Sequence, residues 1–197
     1  MELRVFKILK KTKVEGPGTR FCIWVQGCSK HCEGCYAKDS WDKNGGYLID
    51  IDELFEEIKN TKDIEGVTFL GGEPFEQAKE LSSLAKKIKN LGLSILTFSG
   101  NTYEELLEKN DICTNELLKY TDLLIDGGFE KDKFDLSRAW VGSKNQRYIF
   151  LSGRYSEKDI LNIKNKVEMR ILKNGEIFMN GMGDFDKLLK QLRLRKK

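Results

Sequence analysis

The chain has 197 residues and a formal net charge of +3 from 34 basic and 31 acidic side chains, a balance that gives no reason to expect a nucleic-acid binder. That length buries one good core and is short for two ordinary domains, so the chain reads as a single domain over residues 1–197. The apolar runs are far shorter than the ~20 residues of a membrane-spanning helix, and the opening "MELRVFKILKKTKVEG" alternates apolar and basic residues without the apolar core of a secretory signal, which places the protein in the cytoplasm.

In chain order, residues 21–26 of "RFCIWVQ" read as a strand that ends where "QGCSKHCEGCYAKDSWD" begins. "YLIDIDELFEEIKNT" gives a helix, with Leu54, Phe55 and Ile58 at helical spacing and Asp50 or Asp52 as cap. "GVTFL" is a short strand followed at once by "GGEPFEQ", and Leu81, Leu84, Ala85 and Ile88 mark a helix over 75–91. "LSILTFSG" is the next strand, followed by helical stretches at 103–109 and 115–120, a strand in "DLLIDGG" and another in "NQRYIFLSG". Such alternation argues for a parallel sheet with right-handed crossovers. A closed eight-stranded barrel takes ~250 residues, so this chain supports part of one or an open sheet.

After Lys166 the pattern changes. "VEMRILKNGEIFM" holds two alternating runs around Asn174-Gly175, a hairpin signal, and a helix is expected from Phe185. The basic tail "KLLKQLRLRKK" suits the solvated end of a C-terminal helix. The fold class is therefore α/β: a partial TIM-like barrel with mainly parallel strands, plus a C-terminal hairpin and helix.

The unusual residues fall at the C-terminal ends of the predicted strands: Cys28, then Gly71-Gly72-Glu73, then Ser99-Gly100, then Asp126. In parallel α/β folds that edge binds ligands.

Five cysteines are an odd number, and Cys28, Cys32 and Cys35 are clustered as C-x3-C-x2-C, which reads as metal or redox chemistry rather than a disulfide framework. Cys22 and Cys113 sit in apolar contexts as small hydrophobes. A structural zinc wants a fourth ligand. No second pair exists, and the single histidine, His31, adjoins Cys32 and is poorly placed to join the three cysteines around one ion. A 4Fe–4S cluster fits better, because its ligands sit on separate irons; three thiolates leave one iron open to a small molecule.

The stretch "EGPGTRFCIWVQGCSKHCEGCYAKDSWD" resembles the radical S-adenosylmethionine enzymes, and most closely the activating enzymes of glycyl radical enzymes of the anaerobic ribonucleotide reductase type. The resemblance covers residues 14 to 150 or so, leaving about 151–197 as an extension. It implies a 4Fe–4S cluster and S-adenosylmethionine as cofactors. It also implies reductive cleavage to a 5′-deoxyadenosyl radical, which takes a hydrogen atom from a backbone glycine of a large partner reductase, with a flavodoxin or ferredoxin as electron donor. Many members have an aromatic residue just before the last cysteine; Gly34 stands there, and Tyr36 follows the motif instead.

By the same resemblance, Gly71, Gly72 and Glu73 would contact the cofactor amino group through strand-end backbone and a carboxylate. Ser99 and Asp126 would sit near its ribose or carboxylate, Tyr36 beside it, and Arg20 of "GPGTR" would reach its carboxylate or the partner's backbone. For Arg20 a plain tight turn, and for Asp126 a loop cap, are equally open readings. Trp41 would pack over the cluster loop, with Asp42 beside it, while "RAWVGSKNQRYIF" matches in outline and receives no chemical role. Two alternatives remain: radical chemistry on a peptide or small molecule, as in 7-carboxy-7-deazaguanine synthases, and a non-enzymatic module in which the cysteines only staple a loop.

Overall fold

The computed structural model describes residues 1–192. The basic tail beyond residue 192 lies outside them. Strand β1 (Glu2–Thr12) runs antiparallel to β2 (Arg20–Val25), with Val5 opposite Val25 and Thr12 opposite Arg20. A short β3 (Tyr47–Asp50) pairs antiparallel with the other side of β1, and α1 (Ile51–Asn60) follows directly. Asp50 caps α1 by accepting from the Asp52 amide at 2.8 Å.

β4 (Gly66–Gly71) lies parallel to β2, and a 3-10 turn at Pro74–Gln77 leads into α2 (Ala78–Asn90). β5 (Ser94–Phe98) is parallel to β4. α3 (Tyr103–Glu108) opens on a Thr102–Glu105 capping box, α4 (Ile112–Tyr120) is capped by Asp111, and β6 (Leu123–Asp126) is parallel to β5. β7 (Arg147–Phe150) returns antiparallel to β6. A short α5 (Glu157–Ile160) precedes β8 (Val167–Ile171) and β9 (Ile177–Gly181), a separate two-stranded sheet, and α6 (Phe185–Gln191) closes the described chain.

The main sheet has seven strands in the order β3-β1-β2-β4-β5-β6-β7 and is open, with β3 and β7 at its edges. The expected parallel strands are its centre, β2, β4, β5 and β6; the antiparallel strands flank them on both sides. Strand alternation sorts the side chains onto two faces. Phe21, Ile23, Val67, Phe69, Ile95 and Leu124 meet Leu54 and Ile58 of α1, Leu81, Leu84 and Ile88 of α2, and Leu117 of α4 in the larger core. The other face carries Cys22, Trp24, Thr68, Leu70, Leu96 and Phe98, and is covered near β6 by Ala139, Trp140, Val141 and Tyr155. No helix among the described residues is long and apolar enough to cross a membrane.

The hairpin lies across β1 and β2 with its polar side inward. Glu168 bonds Thr12, Arg170 bonds the Lys11 carbonyl, Asn180 bonds Thr12, and Phe178 meets Trp24 edge to face at 6.5 Å. Its opposite side carries Val167, Met169, Ile171, Ile177 and Met179, with Ile171 74% exposed.

Candidate functional site

The face of the sheet opposite α1, α2 and α4 floors a cavity of about 330 Å³ at the C-terminal ends of the parallel strands. Trp24, Leu70 and Phe98 form part of its floor, and Cys28, Cys32 and Cys35 line one wall. The cysteine loop springs from the end of β2, where the Gly27 amide donates to Ser40 O (2.7 Å) and the Cys28 amide to Trp41 O (3.1 Å). His31 and Gly34 take positive φ, +46° and +79°, which curls the loop tightly between the cysteines. Trp41 stacks on His31 with ring centroids 4.7 Å apart, as expected of a side chain packed over the cluster loop.

All three thiols are partly accessible and none is in a disulfide. Among the described residues, no three His, Cys, Asp or Glu side chains converge as the ligands of one metal ion would. All three cysteines nonetheless line the cavity. Burial pushes the Cys28 thiol up, while the Lys30 and His31 amides, donating to its sulfur, oppose that. The Ala37 amide donates to Cys35 Sγ at 3.4 Å.

Gly71 and Gly72 also line the cavity, but their small size serves the protein's own backbone. A Cβ on Gly72 would lie 2.2 Å from Gly27 O, and one on Gly71, whose φ is +102°, 2.7 Å from Trp24 Cα. The Gly72 amide donates to Val25 O and the Glu73 amide to Gly27 O, both at 2.8 Å, so the end of β4 is pressed against the root of the cysteine loop. Glu73 is 2% exposed. Its carboxylate accepts from the Phe75 amide (3.0 Å), the Ser99 hydroxyl (3.0 Å) and the Gly100 amide (2.7 Å), joining the ends of β4 and β5. Burial raises its pKa against those donors.

Ser99 lines the cavity beside Glu73, and Tyr36, 53% exposed, lines it opposite Phe185, edge to face at 5.6 Å. Arg20 and Asp126 are not among the residues lining the cavity, and both expectations need correction. Arg20 starts β2, at the far edge of the sheet, and is fully buried; it donates to Thr68 Oγ1 (3.0 Å), Ser94 Oγ (2.6 Å), Tyr155 and the Val67 and Ser94 carbonyls, so no donor is left for an anion. Asp126 is fully buried, accepting from the Tyr103 amide (2.7 Å) and from Arg147 Nε (3.0 Å); it is the loop cap of the two readings. Its neighbour Gly127 reaches the cavity instead.

Several lining residues carry no prediction from the sequence. Phe129, from the loop after β6, stands where a Cβ on Gly34 would come within 3.2 Å of its ring, so it occupies the space an aromatic residue at position 34 would otherwise claim. That loop is held by Asn145, donating to Gly128 O (2.7 Å), and Gln146, donating to Gly127 O (3.1 Å). Both belong to "RAWVGSKNQRYIF", the segment given no role, and its outline match was the available signal. Glu15, just before the GPGTR turn, and the hairpin residues Phe178, Met179 and Asn180 complete the wall.

A family model described as "4Fe-4S single cluster domain" matches residues 14–149. The chain is 36% identical over 141 residues to the anaerobic ribonucleoside-triphosphate reductase-activating protein of Pasteurella multocida, covering 68% of this chain and 88% of that one. Its namesake from Enterobacteria phage T4 is 34% identical over 140 residues, covering 68% and 85%, and that of Escherichia coli K12 is 30% identical over 141 residues, covering 68% and 89%. A crystal structure of QueE from Escherichia coli aligns with 52% of this chain and 54% of that one at 20% identity and a TM-score of 0.42, too partial a likeness to bear on function.

Proposed function

This chain belongs to the family of anaerobic ribonucleoside-triphosphate reductase-activating proteins, within the 4Fe-4S single cluster domain class, and from that premise we propose that it is a radical S-adenosylmethionine enzyme that installs a glycyl radical in an anaerobic ribonucleotide reductase. The observation that carries the reading is the gathering of three thiols and three glycine-bearing strand ends around one cavity. The donor set fits the cofactor: the thiols are soft ligands spread along one wall, and neither a histidine nor a fourth cysteine lines the cavity among the described residues.

Cys28, Cys32 and Cys35 would hold the 4Fe–4S cluster, and Gly71, Gly72, Glu73, Ser99 and Tyr36 would surround S-adenosylmethionine. When bound, the pair supplies one-electron cleavage of the sulfonium and removal of a hydrogen atom from glycine, the electron coming from a flavodoxin or ferredoxin. The chain's residues do the orienting. Amides of Lys30, His31 and Ala37 donate to the sulfurs of Cys28 and Cys35, which fixes the direction of those side chains. Trp41 packs over His31 and Phe129 against Gly34, which holds the shape of the loop. Glu73 locks the ends of β4 and β5 together, so the glycine backbone keeps its place.

A cavity on the face opposite α1, α2 and α4, and a sheet that ends at β3 and β7 among the described residues, support the picture of an incomplete barrel acting as one domain, open to a partner's backbone. Anaerobic incubation of the reconstituted protein with S-adenosylmethionine, reductant and an anaerobic ribonucleotide reductase tests it. A glycine-centred radical should form in the reductase, disappear when Cys28, Cys32 or Cys35 becomes Ala, and survive Cys113→Ala. Cofactor cleavage with no radical in the reductase would contradict the choice of substrate.

A further inference from the structure

The cavity, at about 330 Å³, lies near the lower end of the ~300–1,000 Å³ range of small-ligand pockets. Its walls differ in how they are tied to the rest of the protein. Most walls belong to the main sheet or to loops bonded to its strand ends. The exception is the hairpin and α6, a separate sheet outside the matched residues 14–149 that contributes Phe178, Met179, Asn180, Met182 and Phe185.

We propose that the β8–β9 hairpin with α6 is a lid over this cavity, latched by Glu15 and displaced when a polypeptide substrate enters; the identity of that substrate rests on the function proposed above. The latch is polar and small. Glu15, 5% exposed, accepts from the Gly181 amide (2.6 Å) and Asn180 Nδ2 (3.1 Å). Lys7 sits 3.0 Å above the Phe178 ring centroid, and Glu168 bonds Thr12. Gly181, with φ +102°, lets the chain close here: a Cβ would lie 2.2 Å from Lys166 O and 2.9 Å from Val14.

The closed position also carries its own opposition. Asn180 Oδ1 and Arg170 Nε are buried without a hydrogen-bond partner among the described residues, and the buried Glu15 carboxyl has the like charge of Glu168 nearby. Opening rehydrates all of these groups, so the inner face favours a lid that moves over a wall that stays.

Hydrogen–deuterium exchange on the full-length, unloaded protein tests the lid. Segment 167–181 should exchange through a local opening, faster than β4, and Glu15→Ala should speed it about tenfold while leaving β4 unchanged, the loss expected for two hydrogen bonds. Lys7→Ala, which removes the cation over Phe178, should act in the same direction. Exchange of 167–181 in step with β4 in all three proteins would overturn the proposal. With loaded protein, adding the reductase should raise exchange in 167–181 further; a radical formed with no such rise would show entry elsewhere and overturn the lid. The opening in unloaded protein is measured whether or not any radical forms, so failure of the functional reading cannot pass for failure of the lid.

Discussion

Gly72 shows how little room the site leaves. Its backbone lies so near Gly27 that a Cβ would stand 2.2 Å from a carbonyl oxygen, with no side-chain rotation to relieve it. Gly72→Ala should therefore cost roughly 2 kcal/mol or more in urea unfolding of the unloaded protein and lower the iron bound on reconstitution. Unchanged stability and iron content would show that the strand end can retreat freely. The glycines and Glu73 were legible in the sequence as strand-end punctuation, but what they approach was not: the contacts are with another strand and with Ser99 and Gly100. Arg20 was misassigned although the needed clue was present, since a residue that opens a parallel strand lies at the edge opposite the ligands. Asp126 lies at the correct edge, yet its partner Arg147 sits on a neighbouring strand and no local pattern announces the pair. Phe129 was invisible for the same reason, being near Gly34 only in space.

Among the elements, the central parallel strands and their helices could be read because both faces of each strand are buried and each helix has an apolar stripe. β1 was not called as a strand although Leu3 and Val5 are fully buried and its apolar residues alternate with basic ones; that alternation was the available strand signal. β3 has four residues and exists through its pairing with β1. β7 reverses direction because residues 127–146 offer only a short 3-10 turn at Lys131–Lys133 and no crossover helix, which a parallel return normally needs. The hairpin was found from Asn174-Gly175, but not its docking on Glu15, whose carboxyl is pushed by burial from the usual 4.5 to about 7. The folded protein holds that proton more tightly than the unfolded chain, so this group's effect on stability is most favourable below about 4.5, worsens as pH rises toward about 7, and levels off above. Glu15→Gln keeps the acceptor oxygen without the charge. Its unfolding free energy should lack that decline and exceed the parent's by on the order of 2 kcal/mol at pH 8; an unaltered pH slope would assign the decline to another group.

At the scale of the whole molecule, one sheet divides two tasks. Its helix-covered face supplies the main core, and its other face, at the C-terminal strand ends, presents thiols, glycine backbone and aromatic side chains to a shared cavity. The extension beyond the matched residues crosses β1 and β2 to wall that cavity from the far side. In the proposed function, Cys28, Cys32 and Cys35 hold a cluster with one iron open to S-adenosylmethionine. The most direct test is the electron paramagnetic resonance spectrum of anaerobically reconstituted, reduced protein before and after the cofactor is added. A reduced 4Fe–4S signal that changes shape on addition is the predicted result; a silent spectrum, or a cluster signal indifferent to the cofactor, would contradict it.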